Sequence, residues 1–274
     1  MKRLMNFRPV AVTRAVLLWL RPMQIPLHAG YTGFFVVLSV FPILVALFCL
    51  LRYTSLGMEE VMALVAHVLP DALEPLMEQI IQSAYENTSA PVLSVSAVTA
   101  LWSAGRGLRG LMLGMNAVYG RKENRGYFVT RGIGALYTLL FLLMLVLTLV
   151  LQVFGGLVLD YLQMTTHPLW LFLVDIIDLR VILLLALQTL LFTAMYAALP
   201  SGRTGLKNSL PGAVMTSLGW LVFSELFSRY VEYFPNYANV YGSVYAVALA
   251  MLWLYFCVCI IFYGAALNRW LMER

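Results

Sequence analysis

Charge is what this sequence has little of. Only 11% of its 274 residues are Asp, Glu, Lys or Arg, while 62% are hydrophobic. A soluble domain carries roughly 25% charge, so this chain has too few polar side chains to cover a surface facing water. The excess apolar content must face another medium, and lipid is the simplest one. Histidine and cysteine are scarce as well. His28, His67 and His167 are scattered, with no H-E-x-x-H pair and no metal-ligand spacing. Cys49, Cys257 and Cys259 lie within apolar runs, so no disulfide framework is implied. A Walker loop, a dinucleotide fingerprint and a nucleophile elbow are all missing. A nuclease needs clustered acids for metal ions, or a His pair on a polar face, and neither is written here. The expectation is a chain that is not an enzyme, with no cofactor and no metal. No tandem repeat is visible.

What the sequence does have is long oily runs. A helix needs about 20 apolar residues to cross the hydrocarbon core. Such runs lie near 31–51, 91–119, 132–159, 181–199, 210–230 and 241–267. They predict an all-α polytopic membrane protein with six transmembrane helices, in one membrane domain over 1–274. Residues 1–27 form an N-terminal segment with five basic residues and three prolines. It does not read as a cleaved signal peptide, and a short amphipathic helix is expected near Val10 to Leu20. Residues 58–86 carry apolar pairs such as Val61/Met62, Leu64/Val65 and Val68/Leu69 at helical spacing. Pro70 and Pro75 must kink or divide that helix. The segment reads as external amphipathic helices, either packed on the rim of the bundle or acting as a gate.

Orientation follows from the basic residues, which collect on the cytoplasmic side. Lys2, Arg3, Arg8, Arg14 and Arg21, then Arg121, Lys122, Arg125 and Arg131, then Arg203 and Lys207, and finally Arg269 and Arg274 fall in alternate segments. These are 13 of the 18 Lys and Arg. The other loops hold most of the acid, including Glu59, Glu60, Asp71, Glu74 and Asp160. Six spans with both termini in the cytoplasm of a bacterial inner membrane satisfy this pattern. The net charge of +5 is thereby explained by topology, and nucleic acid is not an expected partner.

A few polar residues stand inside the apolar runs. Arg106 and Arg109 lie about 22 and 27 Å along a helix that starts at Pro91, in a core of roughly 30 Å. They either snorkel to the inner surface or form an anion or headgroup site there. Gly107, Gly110 and Gly114 share one stripe of that helix and suit close helix packing more than a ligand cradle. Glu225 and Arg229 are spaced for an i,i+4 ion pair within the membrane, and a proton or cation relay is the alternative reading. Pro42 kinks the first run, and Ser39 is placed to repair part of the bonding. Pro211 and Gly212 open the fifth run, where proline suits the first turn. The stretch from Tyr230 to Ser243 is rich in aromatics, as an interfacial belt is, and a Phe-Pro-Asn turn within it predicts a tight outer loop.

Several of these stretches resemble one family in order and spacing. They are Tyr31 to Pro42 with Ser39-x-x-Pro42; Leu111 to Tyr119 with Asn116; Leu199-Pro200 followed by Leu210-Pro211-Gly212-Ala213; the outer turn Phe234 to Ser243 with Tyr241-Gly242; and Leu252-Trp253-Leu-Tyr255 with Gly264-Ala265. The chain resembles the YihY/BrkB family of inner-membrane envelope-integrity proteins over about residues 25 to 268. The resemblance implies a six-helix membrane protein and a role around envelope integrity, without an agreed reaction. Some members once carried a ribonuclease name, which fits poorly with a chain lacking clustered acids. The family often has Gly-Ala-Glu where this chain has Gly264-Ala265-Ala266, so a mechanism through that carboxylate is not carried over. Asn116 joins Arg106 and Arg109 as a candidate headgroup contact. Ser39, Pro42, Gly107, Gly110, Gly114, Pro211, Gly212, Tyr241 and Gly242 are candidate hinge or packing positions. The expected function is transporter or flippase-like export of a lipid or anionic envelope component. The alternative is a structural or partner-binding scaffold. Membrane lipids are the expected partners, and self-association is left open.

Overall fold

The structure is a computed structural model, and it describes residues 8–51, 82, 90–126, 129–130, 132–134, 179–202, 204–233 and 236–274. All regular structure among the described residues is helical. Helix α1 spans Arg8–Leu20, and a 3-10 turn follows at Arg21–Met23. Gln24 then takes a left-handed conformation with φ of 47° and breaks the helical path. Helix α2 (Ile25–Leu51) starts after it, with Pro26 in its first turn where a missing N–H costs nothing. Helices α3 (Ala90–Val118), α4 (Leu179–Ala198), α5 (Leu206–Tyr233) and α6 (Asn236–Met272) complete the described elements.

The runs expected near 31–51, 91–119, 181–199, 210–230 and 241–267 fall on α2, α3, α4, α5 and α6. All five helices begin earlier than the oily run does, and α2, α5 and α6 do so by four residues or more. Hydropathy ends where polar residues begin, but a helix continues through any residue of fair propensity. In α5 the first turn is built on the carbonyl of Gly205, which accepts the N–H of Asn208 at 3.0 Å and of Ser209 at 3.1 Å. Pro211 therefore lies inside α5 rather than in its opening turn. The helix that contains Tyr241 and Gly242 starts at Asn236, so these two residues are helical; their side chains lie outside the described residues.

Among the described residues, two helical stretches are long and apolar enough to cross a membrane, Leu206–Val231 and Val247–Met272. Taking Arg14–Met23 and Ile25–Val40 as one bent span makes three. In α4 the apolar part, Leu184–Ala198, is shorter. Helix α3 has 29 residues, but its Ser, Thr, Gly and two arginines dilute its apolar character. The expected run 132–159, apart from 132–134, and the external segment 58–86, apart from Gln82, lie outside the described residues.

The chain divides into two compact units. One contains Met1–Ile25, Met112–Val222 and Ile260–Arg274, and the other Pro26–Leu111 and Phe223–Cys259. The first unit has the inverse of a soluble pattern. On α5, Ser209, Gly212, Ala213, Thr216 and Ser217 face inward, at the i, i+3, i+4, i+7, i+8 spacing of one helix face. The outward face carries Leu206, Leu210, Val214, Leu218 and Val222, all exposed. Small and hydroxyl-bearing residues let helix backbones approach, and large aliphatic ones suit a hydrocarbon surround. In the second unit α2 and α3 meet along small residues. A Cβ on Gly107 would fall 2.9 Å from a Val36 methyl, and one on Gly110 would fall 2.6 Å from the Thr32 hydroxyl. The glycine stripe is thus a packing surface at those two positions. Gly114, in the first unit, is buried.

Candidate functional site

In the second unit, Arg106 and Arg109 sit three residues apart on α3, and both are exposed. The Arg106 guanidinium lies over the Trp102 ring at 4.7 Å and the Phe35 ring at 5.5 Å. Phe35 and Trp102 themselves meet edge-on at 6.0 Å. Two aromatic faces attract the cation through their quadrupoles and fix its direction. They leave its five N–H donors uncommitted. Neither arginine has a carboxylate or hydrogen-bond partner among the described residues.

On α5 of the same unit, Glu225 and Arg229 form the expected i,i+4 pair, with a guanidinium nitrogen 2.9 Å from the carboxylate. Both side chains are more than half exposed. Pro42 is inside α2, where it removes the N–H that would reach the Leu38 carbonyl. The Ser39 hydroxyl donates instead to the Val36 carbonyl at 2.6 Å, so it does not serve the group that Pro42 frees.

The first unit contains a polar network that crosses between elements. Asn116, near the end of α3, is 3% exposed. Its amide nitrogen donates to Glu123 at 2.8 Å, and its amide oxygen accepts the Ser201 N–H at 2.6 Å. Asn116 is therefore held between two connections, 119–126 and 199–205. Arg121 donates to the carbonyls of Ser201 and Gly202. Arg125 donates to those of Leu199 and Pro200. These carbonyls follow the last turn of α4, where the helix dipole favours a positive charge. Arg269 on α6 does the same for α3, donating to the Val118 carbonyl at 2.8 Å. Gly120 and Gly202 take positive φ of 65° and 87°, which allows both connections to turn at once.

Further along, α5 and α6 touch through glycines. A Cβ on Gly264 would run into Thr216 and Tyr196, and one on Gly212 would run into the Gly264 carbonyl. Asn268 spans this contact. It accepts the Gly212 N–H at 2.6 Å and donates to the Ser209 carbonyl at 3.0 Å. The Tyr196 hydroxyl bonds Thr216 at 2.6 Å and donates to the Ile261 carbonyl at 2.7 Å. Sequence reasoning singled out Gly212 here but missed Tyr196, Thr216 and Asn268. Tyr196 and Thr216 are polar residues within oily runs and Asn268 directly follows one, which is the signal that would have marked them.

An apolar groove of about 520 Å3 runs between α4 and α5 in the same unit. Leu185, Leu190, Leu210, Val214 and Leu218 line it, with Thr189, Thr193 and Ser217 among them. Among the described residues no three His, Cys, Asp or Glu are grouped so as to hold a metal ion.

Known proteins resemble this chain, one of them over nearly its whole length. The ribonuclease-like protein YfkH of Bacillus subtilis strain 168 is 30% identical over 257 residues, 90% of this chain and 92% of that protein. A UPF0761 membrane protein of Chromohalobacter salexigens is 38% identical over 89 residues, which are 31% of this chain and 22% of that one. A UPF0761 membrane protein of Pseudomonas aeruginosa is 35% identical over 83 residues, 30% of this chain and 20% of its own length. No solved structure matches. The virulence factor BrkB family matches residues 20–274, and this chain, a membrane protein with many exposed aliphatic side chains among the described residues, belongs to that family.

Proposed function

We propose that this protein is a multi-pass protein of the bacterial cytoplasmic membrane that moves a phosphate-bearing or otherwise anionic amphipathic envelope component between leaflets. In this reading six spans lie near 31–51, 91–119, 132–159, 181–199, 210–230 and 241–267. Both termini are cytoplasmic, and 58–86 caps the outer face. The observation that carries it is the pair Arg106 and Arg109. Two guanidiniums on a helix read as a span, one braced by Trp102 and Phe35 and neither paired with a carboxylate among the described residues, suit an anion that arrives from outside the protein. The absence of a nucleotide-binding motif in the sequence fits passive or ion-coupled movement.

The test is the full chain in vesicles that hold a fluorescent anionic phospholipid, with added quencher reading its transfer between leaflets. Faster transfer than in protein-free vesicles is expected, and Arg106→Gln with Arg109→Gln should abolish the gain. Transfer no faster than in protein-free vesicles, over a range of anionic headgroups, would remove the proposal. One feature favours the scaffold reading instead. The network through Asn116, Tyr196, Thr216 and Asn268 is tightly bonded, and a rigid frame suits association with partners.

A further inference from the structure

We infer that the groove between α4 and α5 holds one acyl chain of an anionic phospholipid, with its headgroup at Lys207. The inference rests on reading α4 and α5 as membrane spans, and it is independent of whether anything is transported.

The lining is chemically apolar despite its three hydroxyls. Thr189 donates to Ser217 at 3.0 Å, Ser217 to the Ala213 carbonyl at 3.0 Å, and Thr193 to the Thr189 carbonyl at 2.7 Å. Each hydroxyl proton is used within the protein, and no charged residue lines the groove. A polar solute would lose its hydration there and gain nothing in exchange. An alkyl chain loses no hydrogen bond and gains contacts along Leu185, Leu190, Leu210 and Val214.

The length points the same way. At 1.5 Å per residue, Ile182 to Thr193 spans about 16 Å, close to one leaflet of a core roughly 30 Å thick. Charge sets the headgroup. Lys207 lies one turn before Leu210 on the same helix face, exposed and without a carboxylate partner among the described residues. An ammonium one turn beyond the end of an apolar slot matches a lipid phosphate. Both helices enter the connection that Arg121 and Arg125 hold in place, so the slot is pre-formed and needs little ordering to bind.

The test uses the full chain in phosphatidylcholine vesicles with a trace of phosphatidylglycerol that carries a photoactivatable acyl chain. Mass spectrometry locates the adducts after irradiation. Adducts should concentrate on 182–193 and 210–218, several-fold above exposed Leu226 and Val244. Val214→Trp should fill the slot and remove that excess, while Leu226→Trp should leave it intact. Lys207→Gln should keep the adducts but cancel a preference of roughly five-fold for the phosphatidylglycerol probe over its phosphatidylcholine counterpart. Adducts spread evenly over all exposed aliphatic positions would mean annular lipid only and would overturn the inference. Equal labelling by both probes in the unaltered chain would overturn the anionic assignment. Displacement by inorganic phosphate would reassign Lys207 to a free anion. Leaflet-to-leaflet transfer is not read here, so failure of the groove and failure of the proposed transport remain distinct.

Discussion

At the scale of single residues, glycine acts here through what it leaves out. Gly264 has no room for even one methyl group, because Thr216 and Tyr196 already occupy that position and hydrogen-bond each other. A methyl group on Gly30 would meet nothing within 4 Å. Gly264→Ala should therefore lower stability by about 1–3 kcal/mol through overpacking. Gly30→Ala should be neutral or stabilising by about 0.4–1 kcal/mol, because alanine narrows the unfolded chain. Thermal unfolding in one detergent checks the pair, and similar midpoints for both variants would contradict the close α5–α6 contact. The sequence pointed to Gly107, Gly110 and Gly114 because small residues recur at helical spacing, and to Gly212 because it follows Pro211 at the start of the fifth run. It did not point to Gly264 as a contact, because the neighbours that forbid a methyl there come from α4 and α5.

At the scale of elements, the helix ends are held by side chains from elsewhere. Arg121 and Arg125 occupy the carbonyls after α4, and Asn116 ties the same connection to α3. Arg125→Gln should cost about 1–3 kcal/mol, since it leaves the Leu199 and Pro200 carbonyls without their charged donor. Asn116→Leu should cost a similar amount by stranding the Ser201 N–H. The double variant should fall short of the sum by about 0.5–3 kcal/mol, because both act on one connection. Denaturation of the four proteins gives the coupling, and strict additivity would mean that the two contacts are independent. In the sequence these arginines read as markers of the cytoplasmic side. Their second role was not legible, because Arg121 and Ser201 are 80 residues apart, and Arg125 and Leu199 are 74 apart.

At the scale of the whole molecule, the charge distribution makes one prediction about topology. With Cys49, Cys257 and Cys259 replaced by serine or alanine, Asn124→Cys should react with an impermeant thiol reagent only after the cells are opened. Tyr230→Cys should react in intact cells. Labelling of Asn124→Cys in intact cells would reverse the orientation. Asn124 is exposed and lies outside every oily run, so a signal that appears there only after the cells are opened would reflect sidedness rather than burial.

The sequence by itself determined the medium and the class. Hydropathy is a sum over neighbours along the chain, so oily runs, their helical state and their basic flanks can be read locally. The family was legible for the same reason, through short motifs at fixed separations. Only the tertiary structure decided which polar residues in those runs hold the helices to one another. That choice depends on which side chains meet across turns and between elements. Asn268 could have faced lipid, water or a neighbour, and it is the fold that sets it against Gly212 and Ser209.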